Sequence, residues 1–281
     1  MDKLLFKRLD RLKAALKKMR SAVVAYSGGV DSTFLLKIAR DVLGNKVLAV
    51  IADSFTYPKS ELNLARKTAK KLGARFKVIK TREFKDKNFR KNPFNRCYFC
   101  KKELFLGLKA IAKAKKIRFV IDGSNLDDKK DFRPGSRARK ELGIRSPLAE
   151  SGFRKHDIRK LSLRLNLDTW DKPSLACLAS RIPYGTKITE ENLLRIDKAE
   201  DFLKSLGFKQ VRARDYNGLC RIEVDKKEIP ELLTRRVFIV DSLKKLGYNY
   251  VTVDLEGYRT GSMNPALSAT QKHYAEKGRG E

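Results

Sequence analysis

The chain has 281 residues, of which 42% are hydrophobic, so it can bury sizeable cores in one large domain or in two. Its 64 Lys and Arg against 33 Asp and Glu give a formal net charge of +31, which favours partners rich in phosphate or carboxylate, nucleic acid included. No apolar run is long enough to span a bilayer, and the charged segment 1–12 lacks the apolar core of a signal peptide. We therefore expect a cytoplasmic protein that does not enter a membrane.

An amphipathic helix and a buried strand are the first predicted elements. The helix has one apolar face for packing on the domain, formed by Leu5, Leu9, Leu12 and Leu16. The apolar, β-branched run 22–25 then predicts a buried strand, and the apolar run 34–39 predicts a second helix. A short polar loop joins this strand to this helix.

That loop carries the most informative motif of the chain, Ser27-Gly28-Gly29-Val30-Asp31-Ser32. A glycine pair at this place lets backbone N–H groups turn toward an anion at the positive end of the helix dipole. The Walker A pattern requires Gly-Lys-Ser/Thr at the helix start, and here Val30-Asp31-Ser32 takes that position. A carboxylate beside a phosphate cradle suits Mg2+, so Asp31 is the predicted magnesium ligand. The loop resembles the pyrophosphate loop of enzymes that split ATP between its α- and β-phosphates.

Strands and helices alternate after the loop. Further strands are predicted over 46–53, 75–80 and 118–122, and helices over 60–72 and 101–114. This alternation is typical of an α/β fold with a doubly wound parallel sheet, whose ligands bind at the carboxyl ends of the strands. Polar segments at three strand ends are candidate nucleotide contacts, namely Ser27–Ser32, Asp53-Ser54 and Asp122-Gly123-Ser124-Asn125.

Two irregular stretches interrupt this pattern. Residues 127–143 are basic and predict a surface loop, which either closes over substrate phosphates or is an ordinary solvated connection. Residues 169–186 contain Pro173, Pro183 and Gly185, which exclude regular structure there.

A smaller α+β domain is predicted beyond Thr186. Its elements are a helix over 190–206, hairpin strands over 210–214 and 219–224 around Asn217-Gly218, a helix over 230–246 and a strand over 248–254. We therefore divide the chain into a nucleotide-binding domain at 1–186, a smaller α+β domain at 187–270 and a polar tail at 271–281.

The two faces of the predicted hairpin differ in chemistry. Cys220 falls on the apolar face and is predicted to be a small core residue. Arg212 and Arg214 fall on the other face. Their guanidinium groups are either a clamp for phosphate or part of a solvated surface.

The placement of the cysteines favours metal or catalytic use over disulfides. Cys97 and Cys100 form a CxxC pair whose basic neighbours are expected to lower the pKa of the thiols. Such a pair is ambiguous among a redox pair, half of a zinc site and part of an iron–sulfur cluster. Structural zinc takes four ligands, and neither His156 nor His273 looks like a partner, which leaves Cys177. Three thiolates can hold three irons of a cubane and leave the fourth iron open.

Five segments carry a resemblance to a known family: the loop Ser27–Ser32, the segment 97–101, Arg133-Pro134-Gly135, Arg145-Ser146-Pro147-Leu148, and Pro173–Gly185 with its run Ala176-Cys177-Leu178-Ala179-Ser180-Arg181. The last run is the most specific. Together they resemble the LarE-type sulfur transferases, the pyridinium-3,5-bisthiocarboxylic acid mononucleotide synthases. These enzymes help to build the nickel-pincer nucleotide cofactor of lactate racemase. The resemblance extends from Ser21 to about Asn264.

The resemblance implies an ATP- and Mg2+-dependent reaction on a small-molecule nucleotide. ATP would adenylate a carboxylate of pyridinium-3,5-biscarboxylic acid mononucleotide, and a sulfur nucleophile would then displace AMP. In one branch of the family the cysteine matching Cys177 gives up its own sulfur and becomes dehydroalanine. In the other branch three cysteines bind a [4Fe-4S] cluster whose open iron carries sulfide. Because this chain has Cys97, Cys100 and Cys177, we favour the cluster branch.

The resemblance also implies a role for each candidate site residue. Cys177 and Asp31 are the catalytic residues. The pyrophosphate contacts fall to Ser27, Gly28, Gly29 and Ser32, and Asp53 is a further nucleotide contact. The positions used for substrate or AMP phosphate are matched by Ser180, Arg181, Arg212 and Arg214, with Glu200 as an acid of the site. The resemblance further implies a homo-oligomer, in which the domain at 187–270 completes the substrate site and the oligomer contacts. The source of the sulfide stays open.

Three other functions share some of these features. A tRNA thiolase also combines a pyrophosphate loop with cysteines and a basic surface, but it would usually carry an RNA-binding module that the C-terminal half does not show. A basic nucleic-acid-binding protein with a structural CxxC, and an amide-forming ATP ligase in which Cys177 is incidental, are the other two. Specific retention of tRNA at physiological salt would favour the nucleic-acid functions.

Overall fold

The structure is a computed structural model that describes residues 2–129, 134–173 and 176–259. Its first sheet has four strands, all parallel, and its second sheet has three strands of mixed direction. This architecture confirms the prediction of an α/β fold with a smaller α+β part at the C-terminal end. The polar tail at 271–281 and part of the basic segment, 130–133, lie outside the described residues.

The parallel sheet contains the four predicted strands, each within two residues of the expected bounds: β1 (Ala22–Ala25), β2 (Val47–Asp53), β3 (Phe76–Lys80) and β4 (Phe119–Ile121). Their order is β3-β2-β1-β4, so the chain moves outward from β1 on one side and then crosses to the other. In such a sheet, ligands bind in the crevice beyond the carboxyl end of the strand where the direction changes. That strand is β1, which leads directly into the loop Ser27–Ser32.

Helices cover both faces of this sheet because successive residues of a buried strand point to opposite sides. Val24 packs in the core that includes Leu12 of the first helix and Phe34 of the second. Val23 packs in a different core, with Phe105 and Leu108 on the opposite face. The helices of this part are α1 (Asp2–Met19), α2 (Val30–Leu43), α3 (Lys59–Lys71), α4 (Lys87–Arg90), α5 (Arg96–Ala114), α6 (Gly135–Glu141), α7 (Pro147–Glu150) and α8 (Lys155–Arg164).

Helix α5 begins five residues before the predicted helix over 101–114, so both CxxC cysteines lie within it. The buried Arg96 starts this helix and explains the extension. Its guanidinium donates to Asn92 Oδ1 at 2.9 Å and stacks over the ring of Tyr184 at 4.7 Å. A basic residue with such partners behaves as part of the core, and the sequence pattern gave no sign of them.

The basic segment predicted to be irregular over 127–143 is helical at its end. Helix α6 spans Gly135–Glu141 and packs its buried Ala138 into the core with α5. The prediction of a loop is therefore wrong for these residues. A helix of seven residues with four charged side chains has too few apolar positions to produce a recognisable period.

The second sheet consists of β5 (Arg212–Tyr216), β6 (Leu219–Glu223) and β7 (Tyr250–Val253). The predicted hairpin is confirmed, with β5 antiparallel to β6. Asn217 and Gly218 both have positive φ, 53° and 94°, as the favoured two-residue hairpin turn requires. Strand β7 then adds parallel to β6.

The helices on this sheet are α9 (Glu190–Ser205), α10 (Ile229–Thr234) and α11 (Arg236–Lys245). The single helix predicted over 230–246 is therefore two. The break falls at Arg235, whose φ and ψ of −95° and 12° leave the helical region while its guanidinium donates to the Leu206 carbonyl at 2.8 Å. None of the described helices combines the length and the apolar character needed to cross a bilayer.

Cys220 lies in the core of this second part, as its place on the apolar face predicts. It is fully buried among Ala213, Ile222 and Val224. Burial raises the pKa of its thiol, with smaller contributions from nearby carboxylates. A neutral, buried thiol of this kind is a structural residue.

Candidate functional site

Two glycines bring separate elements into close contact around the loop after β1. Gly28 has a φ of 70°, and a Cβ on it would stand 2.7 Å from the Cβ of Ala65 on α3. A Cβ on Gly123, just after β4, would stand 3.0 Å from the backbone nitrogen of Ser32. The ends of β1 and β4 therefore meet at the start of α2, as the predicted polar strand ends require.

Side chains hold the carbonyl groups of the loop. The Tyr57 hydroxyl donates to the Ser27 carbonyl, and Lys172 Nζ donates to the Gly28 carbonyl at 3.2 Å. Ser32 Oγ donates to the Gly29 carbonyl at 3.1 Å and accepts from the Ser27 N–H at 3.3 Å. No side chain caps the first turn of α2. The N-terminal end of this 14-residue helix thus keeps its capacity for an anion.

Asp31 lies in the first turn of α2 with one carboxylate oxygen paired and the other without a partner. Lys155 Nζ, at the start of α8, stands 2.6 Å from Asp31 Oδ2. Asp31 Oδ1 is buried and accepts no hydrogen bond. A carboxylate with an unused oxygen fits Mg2+, which takes one or two protein carboxylates and completes its shell with water and phosphate.

The carboxylates at the polar ends of β2 and β4 already have partners within the protein. Asp53 Oδ1 pairs with Lys59 Nζ at 2.8 Å. Asp122 Oδ2 accepts from Ser124 Oγ at 2.8 Å, and Asp122 Oδ1 accepts from Ser146 Oγ at 2.5 Å. Both carboxylates therefore lie at the crevice edge but are already partnered in the described structure.

The three cysteines singled out by the sequence come together. Cys97 and Cys100 lie in the first turns of α5, and Cys177 immediately precedes a 3-10 turn, Leu178–Arg181. Burial raises the pKa of Cys100, and the charges of Glu83, Cys177 and Cys97 raise it further. The expectation that basic neighbours lower this pKa is wrong for Cys100, because desolvation outweighs the opposing effect of Lys101.

The donor set suits an iron–sulfur cluster in kind, since such clusters are held by thiolates. As the side chains stand, however, the described part of the chain contains no group of three or more His, Cys, Asp or Glu that could hold a metal ion. The structure therefore brings Cys97, Cys100 and Cys177 near one another without arranging their side chains as the ligands of one metal site.

Residues 176–181, the Cys177 turn, are bonded to α9 through the buried Arg181 and to the segment after β2 through the backbone. Arg181 is fully buried, and its Nε and Nη2 donate to Glu200 of α9 at 2.7 and 2.9 Å. Its Nη1 donates to the carbonyls of Ala176 and Cys177 at 2.8 and 3.1 Å, and to Ser180 Oγ at 3.0 Å. The Leu178 N–H donates to the Thr56 carbonyl at 2.8 Å, which ties the turn to the segment after β2.

The two arginines of β5 complete this cluster. Arg212 and Arg214 are only 6% and 5% exposed, so the alternative of a solvated surface is wrong. Arg214 donates to both oxygens of Glu223 at 3.0 and 2.7 Å and to the Ser180 carbonyl at 2.9 Å. Arg212 donates to the Val211 carbonyl at 2.7 Å and lies 5.0 Å from the ring of Tyr258. Burial lowers the pKa of Arg212, and the charge of Arg181 lowers it further.

Several residues at this site were not predicted, because they lie outside the sequence motifs. Lys155 and Tyr57 belong to no motif, and Lys172 merely precedes one. Glu83 is buried beside Cys100, and its Oε2 has no hydrogen-bond partner. Only the position of Tyr57, shortly after the polar end of β2, carried a sequence signal.

The strand, glycine loop and helix define the class, an ATP-binding HUP domain of the PP-loop superfamily. A model described as the arginosuccinate synthase N-terminal HUP domain matches residues 21–118. Relatives that match nearly the whole chain identify the family within this class. Pyridinium-3,5-bisthiocarboxylic acid mononucleotide synthase of Lactiplantibacillus plantarum is 40% identical over 261 residues, which is 92% of this chain and 95% of that protein. The chain belongs to this family, the LarE-type proteins, as its motifs predicted.

Two further relatives have the same extent. An uncharacterized protein of Synechocystis is 43% identical over 263 residues, and one of Methanocaldococcus jannaschii is 33% identical over 257 residues. They match 93% and 90% of this chain and 98% of their own lengths. The sequence similarity to these relatives thus covers both the nucleotide-loop part and the C-terminal part of the chain.

Proposed function

We propose that this protein is an ATP-dependent, AMP-forming sulfur transferase that converts a carboxylate of pyridinium-3,5-biscarboxylic acid mononucleotide into a thiocarboxylate, a step in building the nickel-pincer nucleotide cofactor. One observation carries the proposal. Cys97 and Cys100 of α5 lie near Cys177, and the turn that contains Cys177 is hydrogen-bonded to the segment after β2. The Lactiplantibacillus relative, which is similar over 92% of the chain, is named as a synthase of pyridinium-3,5-bisthiocarboxylic acid mononucleotide, and this name supports the proposed product.

Activation of the carboxylate falls to the loop and Asp31. A carboxylate is a poor electrophile until it carries a good leaving group, and transfer of AMP from ATP supplies one while pyrophosphate departs. Ser27, Gly28, Gly29 and Ser32 hold the pyrophosphate at the N-terminus of α2. Asp31 holds Mg2+ through the oxygen that has no partner in the described structure.

Sulfur transfer follows at Cys177. The sulfur nucleophile attacks the acyl carbon of the adenylate, a C–S bond forms, and the C–O bond to AMP breaks with its electron pair leaving on the phosphate oxygen. Cys97, Cys100 and Cys177 are the residues that would hold a [4Fe-4S] cluster, which when bound supplies an iron open to sulfide. If the sulfur instead comes from Cys177 itself, its thiolate forms a thioester with the acyl carbon; removal of the Cα proton then breaks the Cβ–Sγ bond, whose electron pair leaves on the thiocarboxylate, and Cys177 ends as dehydroalanine after one turnover.

Recognition of the nucleotide phosphates falls to Ser180 and to the buried Arg181, Arg212 and Arg214, with Glu200 as the main carboxylate beside them. Asp53 is a further nucleotide contact at the end of β2. We also propose that the protein is a homo-oligomer that does not use nucleic acid as a substrate. The donor of the sulfide is left open.

The proposal is tested by incubating the anaerobically purified protein with ATP, Mg2+ and the biscarboxylate mononucleotide. AMP and a thiocarboxylate are expected in equal amounts, and no formation of either would reject the function. Iron and labile sulfide in the protein, both lost in Cys177→Ser and kept in Cys220→Ser, are expected for the cluster. A colourless protein that makes one thiocarboxylate per chain and loses the mass of hydrogen sulfide would establish sacrifice of Cys177.

Binding of tRNA separates this function from a tRNA thiolase. The net charge of +31 predicts some retention of tRNA at low ionic strength. We expect this retention to fall by several orders of magnitude between about 50 and 200 mM salt, as nonspecific phosphate contacts do. Sequence-specific retention at physiological salt would favour the thiolase.

A further inference from the structure

Two donors from outside the loop Ser27–Ser32 fix the carbonyl groups of its first residues. The Tyr57 hydroxyl donates to the Ser27 carbonyl, and Lys172 Nζ donates to the Gly28 carbonyl at 3.2 Å. The C=O and N–H groups of one trans peptide unit lie in a plane and point in opposite directions. A bond that fixes a carbonyl therefore also fixes the direction of the N–H group that follows it.

The N–H groups oriented in this way belong to the glycine pair. The bond from Tyr57 sets the direction of the Gly28 N–H, and the bond from Lys172 sets that of the Gly29 N–H. These are two of the groups to which the proposed function assigns the pyrophosphate at the N-terminus of α2. Tyr57 and Lys172 thus orient anion-binding groups before the anion arrives, although neither residue belongs to the motif.

The segment that carries Tyr57 also contacts the Cys177 turn. The carbonyl of Thr56, the residue before Tyr57, accepts from the Leu178 N–H at 2.8 Å. Thr56 is buried, so its backbone cannot move without disturbing the packing around it. The position of the Tyr57 hydroxyl on the loop is therefore linked, through one buried residue, to the residue that follows Cys177.

Lys172 reaches the loop from the other side of Cys177, which it precedes by five positions. Arg159 donates to the Lys172 carbonyl at 2.9 Å and fixes the backbone from which the side chain extends. The ammonium group also pairs with Glu61 Oε2 at 2.5 Å. A pyrophosphate in the loop would compete with this carboxylate for the ammonium group, because phosphate oxygens accept strong charge-assisted bonds. The contacts of Lys172 therefore depend on what the loop holds.

We propose that Tyr57 and Lys172 are positioning residues that couple the loop to the Cys177 turn, so that bound pyrophosphate restrains the turn until it departs. An anion on the two glycine N–H groups polarises the same peptide units and strengthens the bonds that their carbonyls accept. This inference rests on the proposed function for the identity of the anion and for the role of Cys177. It implies an order in which sulfur transfer follows the release of pyrophosphate.

Tyr57→Phe is the main test, because it removes one hydroxyl group and keeps the ring. Amide hydrogen exchange of the peptide that contains Leu178 is measured by mass spectrometry, with and without saturating Mg2+ pyrophosphate. Pyrophosphate is expected to slow this exchange about threefold or more in the unchanged protein, and to leave it unchanged in Tyr57→Phe. Calorimetry should show that the variant still binds pyrophosphate, about three- to tenfold more weakly.

Tyr26→Phe is the matched control. Tyr26 directly precedes the loop, is buried, and shares a hydrogen bond of 3.4 Å with Thr33 Oγ1 on α2. This variant also removes a phenol hydroxyl beside the loop, but pyrophosphate should still slow the exchange at Leu178 to within about twofold of the unchanged protein. Equal loss of the slowing in Tyr26→Phe and Tyr57→Phe would reduce Tyr57 to a general support of the loop and overturn the proposal.

Lys172→Gln tests the second contact independently of Tyr57. Loss of the ammonium group should weaken pyrophosphate binding about tenfold or more and reduce the slowing of exchange in the Cys177 turn. Lys71→Gln is its control, because Lys71 pairs with Asp168 at 2.6 Å on the exposed surface. It should change neither the affinity nor the exchange, and an equal effect of both lysine variants would assign the result to net charge.

Three further outcomes would reject the coupling. Pyrophosphate that slows the exchange equally in the unchanged protein and in Tyr57→Phe would act on the turn by another route. Pyrophosphate that binds the unchanged protein without altering the exchange would show that the loop and the turn are independent, and absence of binding would remove the anion on which the inference depends. If no thiocarboxylate forms, the proposed function fails, whereas the exchange measurement requires no turnover and still decides the coupling.

Discussion

Asp31 and Lys155 meet at the start of α2 although 124 positions separate them along the chain. Lys155 neutralises one oxygen of the carboxylate at 2.6 Å, and the other oxygen is buried without a partner. Both side chains keep about a quarter of their surface exposed, so their attraction alone contributes little to stability. The arrangement fits a cation site. Lys155 supplies one positive charge beside Asp31, and the metal ion that arrives with the nucleotide supplies the other.

Replacing Asp31 by Asn is therefore expected to abolish activation rather than folding. AMP formation should fall about 100-fold or more, because the amide cannot neutralise Mg2+, and excess Mg2+ should not restore it. The unfolding midpoint in urea should move little. Asp41→Asn is the control, since Asp41 also lies on α2 and also pairs with a lysine, Lys37 at 2.7 Å. Equal loss of AMP formation in both variants would refute the role given to Asp31.

A second prediction at the scale of single residues concerns Gly28. Alanine there meets two penalties, a φ of 70° and a Cβ only 2.7 Å from that of Ala65. We expect Gly28→Ala to lower the free energy of unfolding by about 2–4 kcal/mol and to weaken ATP binding. Gly143→Ala separates the penalties, because Gly143 has a φ of 65° but nothing within 4 Å of its Cβ position. It should cost only about 1 kcal/mol by urea unfolding, and equal costs would refute the packing argument.

At the scale of elements, Asn92 joins the helix of Cys97 and Cys100 to the segment after Cys177. It follows α4, has a φ of 52°, and accepts from Arg96 at the start of α5. Its amide nitrogen donates to the Pro183 carbonyl at 2.7 Å, and its own carbonyl accepts from the Gly185 N–H at 2.9 Å. Asn92 thus bonds the segment that leads into α5 to the segment that follows Cys177.

Asn92→Ala should separate these segments. Loss of the side-chain bonds and a left-handed backbone without asparagine together predict a loss of about 2–4 kcal/mol in the free energy of unfolding. Cross-linking of Cys100 to Cys177 by a short bifunctional thiol reagent in the metal-free protein should slow severalfold. Asn88→Ala, on the exposed side of α4, should change neither quantity. Cross-linking at the original rate in Asn92→Ala would show that other contacts bring the cysteines together.

At the scale of the whole molecule, the features that the sequence predicted correctly are those that depend on residues adjacent along the chain. The β-branched run at 22–25, the strand–loop–helix motif and the Asn217-Gly218 turn each specify their own backbone, and the structure follows them. Contacts between distant residues left no such pattern. The bond of Arg214 to Ser180 spans 34 positions, and nothing near either residue announces the other. Sequence therefore located the candidate residues, whereas their partners required the fold.

The buried thiol and phenol in the core of the second part make the stability of the molecule sensitive to alkaline pH. Burial raises the pKa of Cys220 and of Tyr248, which lie close to each other. As the pH rises past about 8.5, the unfolded chain loses its thiol protons while the folded chain keeps them, so unfolding becomes more favourable. Stability contributed by the neutral Cys220 is thus complete below the ordinary thiol pKa and is lost above it.

The expected size is about 1.2 kcal/mol of lost unfolding free energy from Cys220 between pH 8 and 9.5. This window lies below the titration of most lysines near pH 10.4, whose loss of charge would relieve the repulsion in a chain of net charge +31 and act in the opposite direction. Urea unfolding of the unchanged protein and of Cys220→Ala across this window measures the effect. The variant starts less stable because it leaves a small cavity, but its stability should fall less steeply with pH. Parallel pH profiles for the two proteins would mean that Cys220 ionises in the folded core as readily as in the unfolded chain.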